Sequence, residues 1–588
     1  MTKPLVSHPR FLLGATLVAA IVASCQPSSR TVPPAPTPTS ATTPSPGLPA
    51  DLARLVQSAD ESVRQRWTAL GVTPSPEVDD ATFLRRVTLD LTGQLPRPEG
   101  ITAFLADGGP DKRQRALARL LASDDFARHF TNVFDDLLME GARSPLVDRP
   151  TFRKWLYNAL KGGRGYDAIV GELVAGTGAN TAARRDLSGW DLRGDTALPD
   201  GVNGAVNWPL RYARQPQDLA GATARLFLGV QIQCAECHDH PSEKWTQGDF
   251  KRFTAAFMRT TARRHGKKMK GLRAVTLEDR ARPSRRMARR MEKTGYTDAS
   301  PTALDGSSLD GDNPRRALAT WITADDNRWF ARATVNRMWA YFLGRGFFEP
   351  VDDFRSDQPV ESEAVLDALA RDFVNHDYDL RRLSRAIVST AAYQRSAAGK
   401  DTPQAWHRFA LRPMTDTQLL DALVVATDVG PVLTDVLGDR VERLKLRLRK
   451  QFRFTFDVDE DTSDDTFTGT IPQALMLLNG PLSAAGSSAL QGSTVGQALG
   501  DDDDRAGITR LYLSALSRPP TEGELKHWLT YLKQAQRERW SHGQNPRGGG
   551  PVGRLYRRKR LRGTGARAEA YEDVFWALLN SDEFYFIH

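Results

Sequence analysis

Apolar residues recur at helical spacing along most of the chain. After Asp51 the residues Leu52, Leu55, Val56 and Val63 fall on one helix face. Between Ser75 and Phe130 the pattern breaks into short helices, with starts marked by Pro98 and Pro110 and a stop at Gly108-Gly109. The clearest later helices are predicted over 315–326, 330–344, 361–376, 380–394 and 571–585. Strand-like alternation is scarce, so the fold class read from the pattern is mainly α. Leu219, Thr223, Leu226, Val230, Cys234 and Cys237 follow at steps of four, three, four, four and three. That spacing predicts one helix ended by Pro241, with both sulfurs facing inward beside the apolar stripe.

At 588 residues the chain exceeds what one small core serves, so more than one domain is expected. The reading places a first helical domain at 50–258, a basic loop or insertion at 259–312 and a second helical domain at 313–588. The formal net charge is +9. The stretch from Arg259 to Lys293 carries fourteen Lys/Arg against three acids, so the rest of the chain is close to neutral. This stretch lacks a clean apolar stripe and is expected as a loop. It is also an expected contact for an anionic polymer or lipid.

The N-terminus sets the expected compartment. Lys3 and Arg10 precede an apolar run of 13 residues, Phe11 to Ala23, too short to span a bilayer and suited to a secretory signal. Val22-Ala23-Ser24-Cys25 looks like a bacterial lipobox, which makes 1–25 a lipoprotein signal and Cys25 the lipidated residue. Residues 26–49 are almost only Pro, Ser, Thr and Ala and read as a disordered spacer. The expectation is an exported body held to a membrane by acyl chains, in the periplasm or at the cell surface. Gln26 is not an aspartate-type retention mark, which favours the outer membrane. Export also makes nucleic acid a poor partner.

With Cys25 lipidated, only Cys234 and Cys237 remain, in "CAECHDHP". Cys-x-x-Cys-His is the c-type haem attachment pattern. Two thiols one turn apart suit the two vinyl groups on one porphyrin edge, and His238 suits the iron. Haem c with Cys234, Cys237 and His238 is therefore expected. His129, Met258 and His265 are candidates for a second axial ligand. A Cys234–Cys237 disulfide, a zinc site using these residues with His238 or His240, and an inert core pair stay open. Asp239 and His240 either orient His238 or turn the chain.

"FLGVQIQCAECHDHPSEKW" resembles a family of large secreted bacterial proteins with paired domains of unknown function, numbered fifteen forty-nine and fifteen fifty-three. "DLTGQLP" and "DKRQRALARLLAS" match early in the first domain. The run Asn313 to Phe354, "IPQALMLLNGP", "LSRPPTEGEL" and "DVFWALLNSDEFYFIH" match the second. The resemblance implies secretion, a largely helical fold and a haem-type site at Cys234, Cys237 and His238. Family members often accompany planctomycete-type cytochrome c modules. The family supplies no established reaction, and this chain lacks both a separate cytochrome module and the cysteine often found before "PQAL".

No catalytic set is assigned. Asn336, Arg337, Trp339, Gly344, Arg345, Gly346, Asp352 and Asp353 form a dense group. It suits a structural Arg–carboxylate network better than a pocket with Asp352 or Asp353 as base or metal ligand. "DVDEDTSDDTFT" at 457–468 lacks the glycine and glutamate of a calcium loop and reads as a solvated acidic loop. "RLYRRKRLRG" at 554–563 is a second basic run, and 543–553 reads as a flexible loop. The leading expectation is an exported lipoprotein using haem for electron transfer to a redox partner protein, or for an oxidative step. The alternative is a non-enzymatic envelope protein in which the cysteine segment is a staple.

Overall fold

The computed structural model describes residues 47–139, 144–181, 197–213, 215–265, 274–399, 405–437, 448, 486–537 and 565–588. Cys25, the spacer, the acidic run at 457–468 and the basic run at 554–563 lie outside them. The body from Pro44 to His588 forms one contact unit.

Helices dominate the described residues, as the apolar spacing predicts. Seven come first: α1 Ala50–Leu70, α2 Asp80–Thr92, α3 Pro98–Ala106, α4 Lys112–Ala122, α5 Asp124–Met139, α6 Arg149–Lys161 and α7 Tyr166–Ala175. Their ends follow local chemistry. The Asp79 carboxylate accepts from the Thr82 N–H to start α2, Gly93 closes it in the left-handed conformation, and Pro98 opens α3.

Every residue of α2 from Phe83 to Thr92 is buried, including Arg85, Arg86 and Asp90. Arg85 donates to the carbonyls of Ala515, Glu583 and Phe584. Arg86 donates to those of Tyr393, Arg395 and His588. Burial pulls both guanidinium groups down to about 10, and the carbonyls replace their lost hydration. Asp90 accepts from Tyr393 Oη at 2.7 Å and from Arg412 Nη2 at 3.0 Å. An early helix thus holds the C-terminal end of the chain, and one apolar core runs from Leu52 to Ile587.

The segment 259–312 differs from the expected loop. Strands β2 (Thr260–Arg264) and β3 (Val275–Asp279) pair antiparallel, with β1 (Gly178–Ala179) on the far side of β3. The helix Arg285–Thr294 follows, capped by Ser284 and closed by Gly295. Val275 and Leu277 point inward from β3 to join Leu146, Val206 and Leu210 in a small second cluster. Basic residues between these few apolar positions hide the alternation in the sequence.

Beyond the hairpin come Pro314–Ile322, Phe330–Leu343, Glu363–Asn375 and Leu380–Ser389, close to the predicted helices. Pro314–Ile322 packs on α7 and Phe330–Leu343 on the chain just before the cysteines. No helix among the described residues is long and apolar enough to cross a membrane.

Candidate functional site around Cys234, Cys237 and His238

The predicted single helix from Leu219 to Cys237 does not form. An α-helix covers Pro216–Thr223, widens into a π-turn at Ala224–Leu228, and stops at Gly229, which is left-handed with φ 64°. Tertiary contacts set that stop. A Cβ on Gly229 would lie 3.2 Å from the Ala333 Cβ. Arg337 Nη1 donates to the Leu226 carbonyl at 2.6 Å, and the Phe354 N–H donates to the Gly229 carbonyl at 2.5 Å. The helix ends because the second half of the chain occupies its path and takes up its last carbonyls.

After Gly229 the chain makes a 3-10 turn at Gln233–Glu236. Cys234 and Cys237 are free thiols and both exposed, in contrast to the inward orientation predicted from a continuous helix. Ala235, between them, is the residue that turns inward. The turn is held tightly from behind. Gly221 has no side chain where Gln233 crosses it, and a Cβ there would sit 1.7 Å from Gln233 Oε1. Gln233 Nε2 donates to Glu236 Oε2 at 2.7 Å. Gln247 Nε2 donates to the carbonyls of Glu236 at 3.2 Å and Cys237 at 3.1 Å. Gln247 opens the helix Gln247–Ala255, whose start is fixed by a reciprocal Thr246–Asp249 capping box. The spacing Thr-x-x-Asp is readable in the sequence, but its link to the cysteine turn is not.

His238 is exposed, and its Nδ1 donates to the Asp239 carbonyl at 2.7 Å. With its proton on Nδ1, the ring presents the Nε2 lone pair. His240 is oriented the other way. Its Nδ1 accepts from the N–H groups of Ser242 at 3.3 Å and Glu243 at 3.0 Å, so Nε2 carries the proton. His240 therefore organises the turn and offers no free lone pair in this arrangement. Asp239 links the histidine to the following helix: its carbonyl holds His238, and its Oδ1 accepts from the Gln247 N–H at 2.8 Å.

The polar group of the second half closes on this site. Asp352 Oδ2 accepts from Arg225 Nη1 at 2.8 Å, and Oδ1 from Gln231 Nε2 at 3.3 Å. Burial raises the Asp353 carboxyl, opposed by Arg355 and, more weakly, by His240. Asn336 is fully buried and clamps the following loop: Oδ1 accepts from the Phe347 N–H at 2.6 Å and Nδ2 donates to the Phe348 and Val351 carbonyls at 3.2 Å. Trp339 is fully buried against Phe347 and Trp406. Arg345 pairs with Glu361 at 3.5 Å. A Cβ on Gly346 would strike Asn336, and Gly344 caps its helix at φ 79°. These contacts tie the group together through Arg–carboxylate pairs and a buried amide clamp.

The candidate second axial ligands lie apart in role. His129 is buried in the core, its Nε2 bonded to Tyr341 Oη at 2.6 Å, and burial holds it down to about 3. Met258 is buried just past the helix Gln247–Ala255. His265 is exposed at the end of β2 and bonded to Thr276 Oγ1 at 2.8 Å.

Two free exposed thiols in one turn and an imidazole with an available Nε2 fit covalent haem attachment. Among the described residues no group of three or more His, Cys, Asp or Glu side chains is close enough to hold a metal ion, so zinc finds no ready donor set here.

A family model described as a protein of unknown function (DUF1549), PSCyt2, matches residues 58–262, which contain this site. A second, a protein of unknown function (DUF1553), PSD1, matches residues 314–442. No curated protein and no solved structure matches the chain. Carrying both domains in tandem, with the cysteine turn in the first and the clamp that ends its helix in the second, the chain belongs to the paired DUF1549–DUF1553 family.

Proposed function

We propose that this chain is an exported, lipid-anchored protein that carries a c-type haem on Cys234, Cys237 and His238 and serves electron transfer or an oxidative step. The observation that carries the reading is the His238 Nδ1–Asp239 carbonyl bond at 2.7 Å. It fixes the tautomer whose Nε2 can bind iron. The exposed thiols of Cys234 and Cys237 are open to attachment machinery. Gln233, Gln247 and Gly221 hold the turn that sets their separation. When bound, the group supplies one-electron exchange. The lipobox-like sequence ending at Cys25 supports the anchor.

The test is expression of the full chain in a host with haem-attachment machinery. A Soret band that survives acid-acetone extraction, and is lost in Cys234→Ser/Cys237→Ser, is the expected result. His238→Ala should retain covalent pigment while changing its axial spectrum. Fully matured protein without iron, with both thiols titrating freely or joined to each other, overturns the reading. Cys25→Ser should release the body from the membrane fraction.

A further inference from the structure

A groove of about 790 Å³ lies between the segments 209–213 and 216–219, the paired strands β2 and β3 and the helix Arg285–Thr294. Its size is that of a small-molecule site. The lining includes the apolar side chains Leu210, Tyr212, Leu219, Phe257, Leu277 and Met287. It also includes five cations, Arg264, Arg286, Arg289, Arg290 and Lys293, against one acid, Glu292.

The placement of the cations is unusual for a merely solvated helix. Arg286, Arg289, Arg290 and Lys293 follow at i, i+3, i+4 and i+7, so they share one helix face. Like charges at those spacings repel. Arg290 Nη2 donates to Gln217 Oε1 at 3.0 Å, tying that face to the groove wall. Arg264, Arg286, Arg289 and Lys293 make no ion pair within the described residues. None of the helix's residues is buried, so packing alone gives little reason to aim four cations at an apolar trough. A ligand with an apolar body and an anionic head satisfies both parts: the body covers the floor and the head neutralises the rim.

We propose that this groove binds an amphiphilic anion, a long apolar chain ending in a carboxylate or phosphate. The site is independent of the cysteine turn. Two sources share this chemistry: a free monomeric amphiphile and a lipid drawn from a bilayer.

The experiment uses the purified full chain and a fluorescent long-chain carboxylate below its micelle concentration. Saturable binding is expected, displaced by hexadecanoate or hexadecyl phosphate and at least about tenfold more weakly by neutral hexadecanol. Arg286→Gln/Arg289→Gln/Lys293→Gln alters exposed side chains and should weaken binding by about tenfold or more with the circular dichroism unchanged. Ala213→Trp, which fills the groove without removing a charge, should weaken it as well. A second arm sediments the same proteins with phosphatidylglycerol vesicles. Binding there but not to the monomer, reduced by Ala213→Trp, identifies the bilayer as the source. Three results overturn the proposal: equal affinity for hexadecanol, equal affinity for inorganic pyrophosphate, or full binding by both variants.

Discussion

The Arg315–Asp279 pair is where the hairpin is fastened to the helical body, and Asp279→Ala tests it. Arg315 has 1% of its side chain exposed and Asp279 11%. Arg315 Nε and Nη2 donate to the two carboxylate oxygens at 2.9 Å each. Asn313 Nδ2 and Thr260 Oγ1 add donors to the same carboxylate at 3.0 and 3.1 Å. Removing the carboxylate leaves a buried guanidinium without a counter-charge, which typically costs about 3–5 kcal/mol. Arg315 keeps the Val174 and Gly176 carbonyls at 3.2 and 3.0 Å. With those two acceptors retained, the lower end, about 3 kcal/mol, is expected. A chain of this size does not unfold in one step, so hydrogen exchange resolved to 260–264 and 275–279 is the appropriate measurement. Opening of those strands should become about a hundredfold more frequent. Replacing both partners, Arg315→Met with Asp279→Leu, should recover most of the loss, since no charge is then stranded. Hairpin exchange in Asp279→Ala within about twofold of the wild type would refute the reasoning, because that is the scatter of an unrelated surface change.

Burial raises the Asp60 carboxyl to about 6, while its Oδ1 accepts from the Ala391 N–H at 2.7 Å. The folded state therefore holds this proton above the unfolded value, and ionising Asp60 costs stability as pH rises from about 4 to about 6. Asp60→Asn keeps the acceptor and should be more stable than the wild type at pH 7 by about 3 kcal/mol, the difference vanishing near pH 4 in denaturant titrations at the two pH values. His129 has the opposite slope. Its folded value of about 3 is set by burial, so the native state resists its protonation and loses stability as pH falls from about 6.5 towards 3. His129→Gln should flatten that part of the acid-unfolding curve relative to the wild type. Gly221→Ala should displace the Gln233 side chain and loosen its contact with Glu236, so alkylation of Cys234 in the thiol form should quicken while the fold persists. Adding Gln233→Ala removes the clash but not the loosening, and the rate should stay high.

Local chemistry written in the sequence decided most of the elements. Apolar spacing made the helices, and Asp79, Gly93 and Pro98 fixed ends that need only neighbouring residues. The cysteine turn also stood out in the sequence as a candidate, because Cys234, Cys237 and His238 lie close together in the chain. Its conformation was not. The apolar register runs unbroken from Leu219 to Cys237, but the helix closes at the left-handed Gly229, where Ala333, Arg337 and Phe354, more than a hundred residues later, pack against it and take up its carbonyls. The hairpin was hidden for a related reason. Val275 and Leu277 are two apolar positions among many cations, too few to show a period, and become a strand's inner face only when Leu146, Val206 and Leu210 meet them. Docking belongs to the tertiary structure as well: Asp352 finds Arg225 across 127 residues, whereas the proton position on His238 is set locally by the carbonyl of the next residue. Spacing along a chain reports which side chains share a face, whereas what that face meets, and so where it must stop or turn, is settled by packing between distant segments.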